Sequence, residues 1–100
     1  MSKEIRLTLR DKKGKEVHHI TNFVPAQKLI DLFTLEIELK KLEDDAVTAS
    51  LRRIEFVAGL FDGVKAEDIL NGLDARTLVS TVTGIINNVY GFEDEDTEGK

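Results

Sequence analysis

One hundred residues supply one modest core and no second independent domain, and a composition of 41% hydrophobic and 33% charged residues is that of a chain that folds. The absence of Cys excludes a disulfide framework, a thiolate metal site and a Cys nucleophile, and fits a reducing cytoplasm. The N-terminus MSKEIRLTLR has no apolar core of a signal peptide, and Asp31, Glu36, Glu38 and Lys40 interrupt the richest apolar stretch, which excludes a membrane span.

The net charge of −5 is unevenly placed. Residues 93–100 hold Glu93, Asp94, Glu95, Asp96 and Glu98 against Lys100, while Lys3, Arg6, Arg10, Lys12, Lys13 and Lys15 outnumber Glu4, Asp11 and Glu16 in the first twenty. Opposite charge at the two ends favours protein partners. Nucleic acid would need an uncancelled basic field with aromatic platforms, and only Phe23 and Phe33 stand near the basic end.

In chain order, Ile5, Leu7 and Leu9 alternate with polar residues at the period of a strand with one dry face. Asp11 to Lys15 reads as a turn in which Gly14 supplies positive φ, and Glu16 to Thr21 as the returning strand of a hairpin over 4–21. A lone hairpin is marginal in water, so it must lean on other elements.

Pro25 suits the first turn of a helix that runs to about Glu43. Leu32, Leu35, Leu39 and Leu42 form one apolar stripe on it, and Ile30, Phe33 and Ile37 a second beside it. The combined arc spans about 240°, far wider than the single stripe of an ordinary surface helix, so two sides must be covered. The favoured reading is a central helix sandwiched between hairpin and bundle; the alternative is that one of the two stripes is an exposed protein-binding surface, and the pattern alone leaves open which.

Asp44 or Asp45 can cap a second helix over about 45–61, with Val47, Leu51, Ile54, Ala58 and Phe61 as its core stripe. A short helix over about 65–71 closes at Asn71-Gly72, with Gly72 in the left-handed position. Asp74 can cap a last helix over 74–90, whose inner face is Leu78, Val82, Ile85 and Val89. Its β-branched residues and Gly84 favour a strand over 78–86, whereas the 3.6-residue period favours a helix. Residues 93–100 have nothing apolar to bury and read as an acidic flexible tail after a single compact domain of residues 1–92. The expected class is α+β, mainly helical: an N-terminal hairpin packed on a bundle of three to four helices.

Chemistry is sparse. His18 and His19 are neighbours on a strand and point to opposite faces, and no third His or Cys completes a zinc shell. The EF-hand spacing is missing around Asp44 and Asp45, as are G-x-S-x-G, G-x-G-x-x-G and Walker patterns. No catalytic residue, metal or cofactor is expected, and the chain is not expected to be an enzyme.

The stretch from Ile54 to Gly91, with its Phe-containing helix end, the acidic helix closing in Asp68-Ile69-Leu70-Asn71-Gly72-Leu73-Asp74 and a last helix ending at Gly91, resembles the tail assembly chaperones of long-tailed phages and prophages. The resemblance covers residues 25–92 and rests on turn and helix residues; at the N-terminus it reaches only the hairpin. It implies a protein of the bacterial host's cytoplasm, absent from the mature virion, that binds the tape measure protein and keeps it soluble during tail assembly. It further implies a frameshifted longer form recruiting tail tube protein, with which the ending Gly99-Lys100 is compatible. A long apolar client helix would suit an aliphatic stripe. The candidate contacts are Ile30, Leu32, Phe33, Leu35, Ile37, Leu39 and Leu42, with no nucleic-acid or membrane partner. Homo-oligomers are expected, the basic hairpin of one subunit meeting the acidic tail of the next. The competing reading is a cytoplasmic hairpin-plus-helix adaptor of β-grasp type for one folded protein, which needs further strands after residue 45.

Overall fold

A computed structural model describes residues 4–91. The alternation of Ile5, Leu7 and Leu9 folds as strand β1 (Ile5–Arg10), which buries all three and pairs antiparallel with β2 (Glu16–Thr21). Gly14 takes φ 84° in the turn, and the Asp11 carboxylate accepts the N–H groups of Lys13 and Lys15 at 2.8 and 3.0 Å. That is the chemistry of an Asx turn, in which Asp satisfies the loop backbone and Gly makes the left-handed step.

Helix α1 (Ala26–Lys41) starts after Pro25, which sits just outside it as the N-cap residue, and carries Lys40 and Lys41 in its last turn, where positive charge complements the helix dipole. Helix α2 (Ala46–Ala58) begins at Asp45, whose carboxylate accepts from the Thr48 N–H at 3.0 Å and the Thr48 hydroxyl at 2.8 Å. Helix α3 (Ala66–Gly72) opens with the Asp68 carboxylate accepting the Lys65 N–H at 2.9 Å. A 3₁₀ turn (Ala75–Thr77) precedes α4 (Leu78–Tyr90), and Gly91, at φ 92°, ends the last helix. The later strands of a β-grasp adaptor are absent among the described residues. The acidic segment 93–100 and its expected partnership with the hairpin lie outside the described residues.

The core joins every layer except β2. Leu7 of β1, Leu32 of α1, Val57 of α2 and Ile69 of α3 are almost completely buried, and Val82, Ile85 and Ile86 of α4 close the remaining side. β1 packs on α3 and α4, while β2 lies against no helix.

Three local expectations change, and a fourth, the helix over 78–86, holds against its β propensity. Gly72 is the last residue of α3 without positive φ; it is needed because a Cβ there would lie 2.6 Å from the Arg10 carbonyl oxygen and 3.0 Å from the Arg10 nitrogen. Val47 and Leu51 are exposed although they share one helical line with the buried Ile54 and Ala58, so it is the N-terminal part of that line on α2 that no other element covers. Asp74 caps the 3₁₀ turn through the Arg76 N–H at 2.8 Å, and α4 starts one turn later. Residues 78–86 are helix: burial of Val82, Ile85 and Ile86 outweighs their weak β preference.

Candidate functional site

The wide arc of α1 divides cleanly. Leu32, Leu35 and Leu39 are core residues, and Leu42, which caps the helix, is half-buried against them. These four hold the fold, and the three buried ones offer no surface to another protein. Ile30, Phe33 and Ile37 are 53%, 47% and 59% exposed. Fully burying an aliphatic or aromatic side chain is worth about 1.5–3 kcal/mol, so three of them at one-turn spacing on one helix face are a substantial uncovered apolar surface.

This stripe does not end at the edge of α1. The Phe33 ring meets the Tyr90 ring of α4 with centroids 6.2 Å apart and planes tilted by 35°. Tyr90 in turn lines a groove of about 310 Å³ between α1, α2 and α4. The core residues Ile54, Val82 and Ile86 lie beneath its floor, Glu36 and Arg53 are among its lining, and so is Val79, 76% exposed. Burial and the neighbouring Glu36 carboxylate both raise the Tyr90 phenol above its usual range, so the hydroxyl stays protonated at neutral pH. Stripe and groove thus adjoin at Tyr90, the stripe apolar and the groove lined by apolar side chains together with Glu36, Ser50, Arg53, Thr83 and Asn87. Such a surface suits an amphipathic helix laid across it.

The sequence reading found the α1 half of this surface and missed the α4 half. Val79, Thr83, Ile86 and Tyr90 recur at four, three and four residues, a second helical stripe beside the Leu78, Val82, Ile85, Val89 face. That spacing was the available signal.

Elsewhere the side chains are paired locally. His18 Nδ1 lies 2.8 Å from the Thr8 hydroxyl, whereas His19 turns to the other face and meets the Phe61 ring at 6.5 Å. Among the described residues no three His, Asp or Glu groups converge as a metal would require. A second hollow of about 550 Å³ lies between β2, the 21–25 connection and the turn after α2; His18, His19, Phe23 and Lys28 are among its walls. Arg52 and Glu38 join α2 to α1 across a 2.6 Å ion pair half open to solvent, which fixes the helix pair more through geometry than through energy. No described helix is long and apolar enough to cross a membrane.

Compared with known proteins, residues 1–100 match the model of a family described as phage tail chaperone protein. No curated protein and no solved structure matches the chain. The match spans the whole sequence, and the chain belongs to the phage tail chaperone family.

Proposed function

We propose that this phage tail chaperone holds the tape measure protein in soluble form before the tail tube assembles around it, by laying a helical segment of that client across the Ile30/Phe33/Ile37 stripe and the adjoining α4 groove. Membership of the family supports a role in tail assembly. The observation that carries the client reading is the exposure of those three residues together with the Phe33–Tyr90 contact that joins them to the groove. A long apolar helix aggregates when unpartnered, and a rigid face of aliphatic and aromatic side chains covers it without sequence-specific chemistry. The protein acts by binding, without catalysis, in the cytoplasm of the bacterial host, and leaves before the virion is complete. A longer product of a frameshift would add a segment that recruits tail tube protein.

Co-expression with the tape measure protein of the same phage tests this. The wild-type chain should keep the client soluble and co-purify with it, and Phe33→Asp should lose both properties while retaining the helical circular dichroism of the wild type. A client that stays insoluble beside the wild-type chain contradicts the proposal. The frameshift is read from the nucleotide sequence of the gene; a gene without a slippery site removes the longer form and leaves the chaperone role standing.

A further inference from the structure

The two edges of the hairpin are treated differently. The Asp11 N–H donates to the Lys15 carbonyl at 2.9 Å, which makes those two residues a hydrogen-bonded pair. Hydrogen-bonded and non-hydrogen-bonded pairs alternate along an antiparallel ladder, so with the observed register Leu9–Val17, Leu7–His19 and Ile5–Thr21 are the bonded pairs. The backbone groups of Arg6, Thr8 and Arg10 then point out from β1, and those of Glu16, His18 and Ile20 point out from β2. On β1 that side is met by α3, where Gly72 comes against the Arg10 backbone so closely that no Cβ fits. On β2 no helix lies beside the strand; the turn after α2 meets it through the Phe61 and His19 rings, and among the described residues no backbone hydrogen bond ties down its outward groups.

Natural sheet edges are usually guarded by Lys, Pro, a bulge or a covering loop. β2 carries no Lys, no Pro and no bulge. Its exposed residues include Val17 and Ile20, and Phe23, 76% exposed, follows two positions beyond its end.

We propose that β2 pairs with β2 of a second copy, antiparallel about a two-fold axis at His18, so that two hairpins join into one four-stranded sheet. In this register each His18 faces its own counterpart and each Glu16 faces the partner's Ile20. All three outward-facing residues of each strand then exchange both of their hydrogen bonds, and the only parity compatible with the existing ladder is used. Charge agrees with this arrangement. Glu16 comes diagonal to the partner's His18 on the same face, within reach of a cross-strand contact. The Lys12–Lys15 turns lie at opposite ends of the joined sheet, where a parallel pairing would set them side by side. The strand direction also carries Phe23 toward the partner's basic turn, where an ammonium can rest on the ring. Because the contact is isologous it closes on two copies and leaves no edge of the same kind for a third. Its extent is below that of a standard protein interface, so the dimer is weak and concentration-dependent. The inference rests on the hairpin alone and is independent of the client reading.

Sedimentation velocity of the full chain over a concentration series tests it. A monomer–dimer equilibrium is expected, and Ile20→Lys, a substitution at an exposed position that leaves the hairpin ladder intact, should weaken it by about fivefold or more. Ile37→Lys should leave it unchanged. Since the chain has no Cys, His18→Cys provides a direct report: Cα atoms of a hydrogen-bonded pair lie about 5.5 Å apart, within disulfide reach, so oxidation should trap a covalent dimer. Arg6→Cys, on β1, should not. A chain that stays monomeric throughout the series overturns the proposal, and so does a dimer that is indifferent to Ile20→Lys or that Arg6→Cys traps as readily as His18→Cys.

Discussion

The Phe33 ring of α1 rests 6.2 Å from the Tyr90 ring of α4, and this single contact turns two separate apolar features into one continuous surface. Both residues are only partly buried, so the contact is maintained at the rim of the molecule, where a partner can complete it. Aromatic pairs of this kind are worth about 0.5–1.5 kcal/mol beyond their buried area. Phe33→Ala should therefore lower stability modestly, by about 1–2 kcal/mol in urea unfolding, since its ring is half exposed to begin with. Its effect on client binding should be larger than its effect on stability.

The two stripes of α1 should separate in a matched experiment. Leu35→Ala and Leu39→Ala remove buried side chains and should each cost about 2–5 kcal/mol, enough to unfold a domain of this size in combination. Ile30→Ala and Ile37→Ala remove exposed ones and should change stability by less than about 1 kcal/mol. Equal destabilisation by both pairs, measured by thermal unfolding, would contradict the division of the helix into an inner and an outer face.

Two glycines inside helices should respond to Ala with opposite sign. At Gly84 of α4 an added Cβ meets nothing within 4 Å, and the gain in helix propensity should stabilise the protein by about 0.5–1 kcal/mol. At Gly72 the same methyl would run into the Arg10 backbone, which cannot yield without moving β1 off α3. A loss of about 1–3 kcal/mol is expected there despite the better helix former. A stabilising Gly72→Ala would mean that the hairpin is not held as close to α3 as described.

Acid should weaken the fold partly through its capping carboxylates. The Thr48 backbone N–H and hydroxyl hold Asp45 below its ordinary pKa, and the Arg76 side chain and backbone do the same for Asp74. A carboxyl whose folded pKa lies below its unfolded value stabilises the fold above the unfolded value, and that contribution fades as pH falls through the folded one. The wild type should thus lose thermal stability as pH drops below about 4, where unfolded carboxylates begin to protonate. Asp45→Asn, which can still accept a hydrogen bond at the helix start but cannot titrate, should flatten part of that slope. An unchanged pH profile in the Asp45→Asn variant would show that Asp45 contributes none of it.

Much of the fold was legible in the sequence because its signals are local. The Ile5/Leu7/Leu9 alternation, the Asp11 and Gly14 turn and the Asp45 cap each encode their structure within a few residues. What escaped was set by distant parts of the chain. Gly72 looked like a helix stop, and only the approach of Arg10, sixty-two positions away, reveals the packing reason for it. The excess width of the α1 arc called for a cover on both sides, and only the placement of α2 and α4 shows that the Ile30/Phe33/Ile37 side is left open. Val47 and Leu51 kept the spacing of a core face and ended outside for the same reason. The α4 half of the surface was hidden because Val79, Ile86 and Tyr90 share their helix with a stronger inward stripe.

Tyr90 is the one Tyr in the chain, so 3-fluorotyrosine labelling gives a single fluorine signal at the junction of stripe and groove. The most direct measurement is the fluorine spectrum of the labelled chain titrated with a soluble helical segment of the tape measure protein. The resonance should shift or broaden with saturation in the wild type, and stay in place in the Ile37→Lys variant with binding lost. Saturable client binding that leaves the Tyr90 signal unmoved, or a client that binds Ile37→Lys as tightly as the wild type, would contradict it.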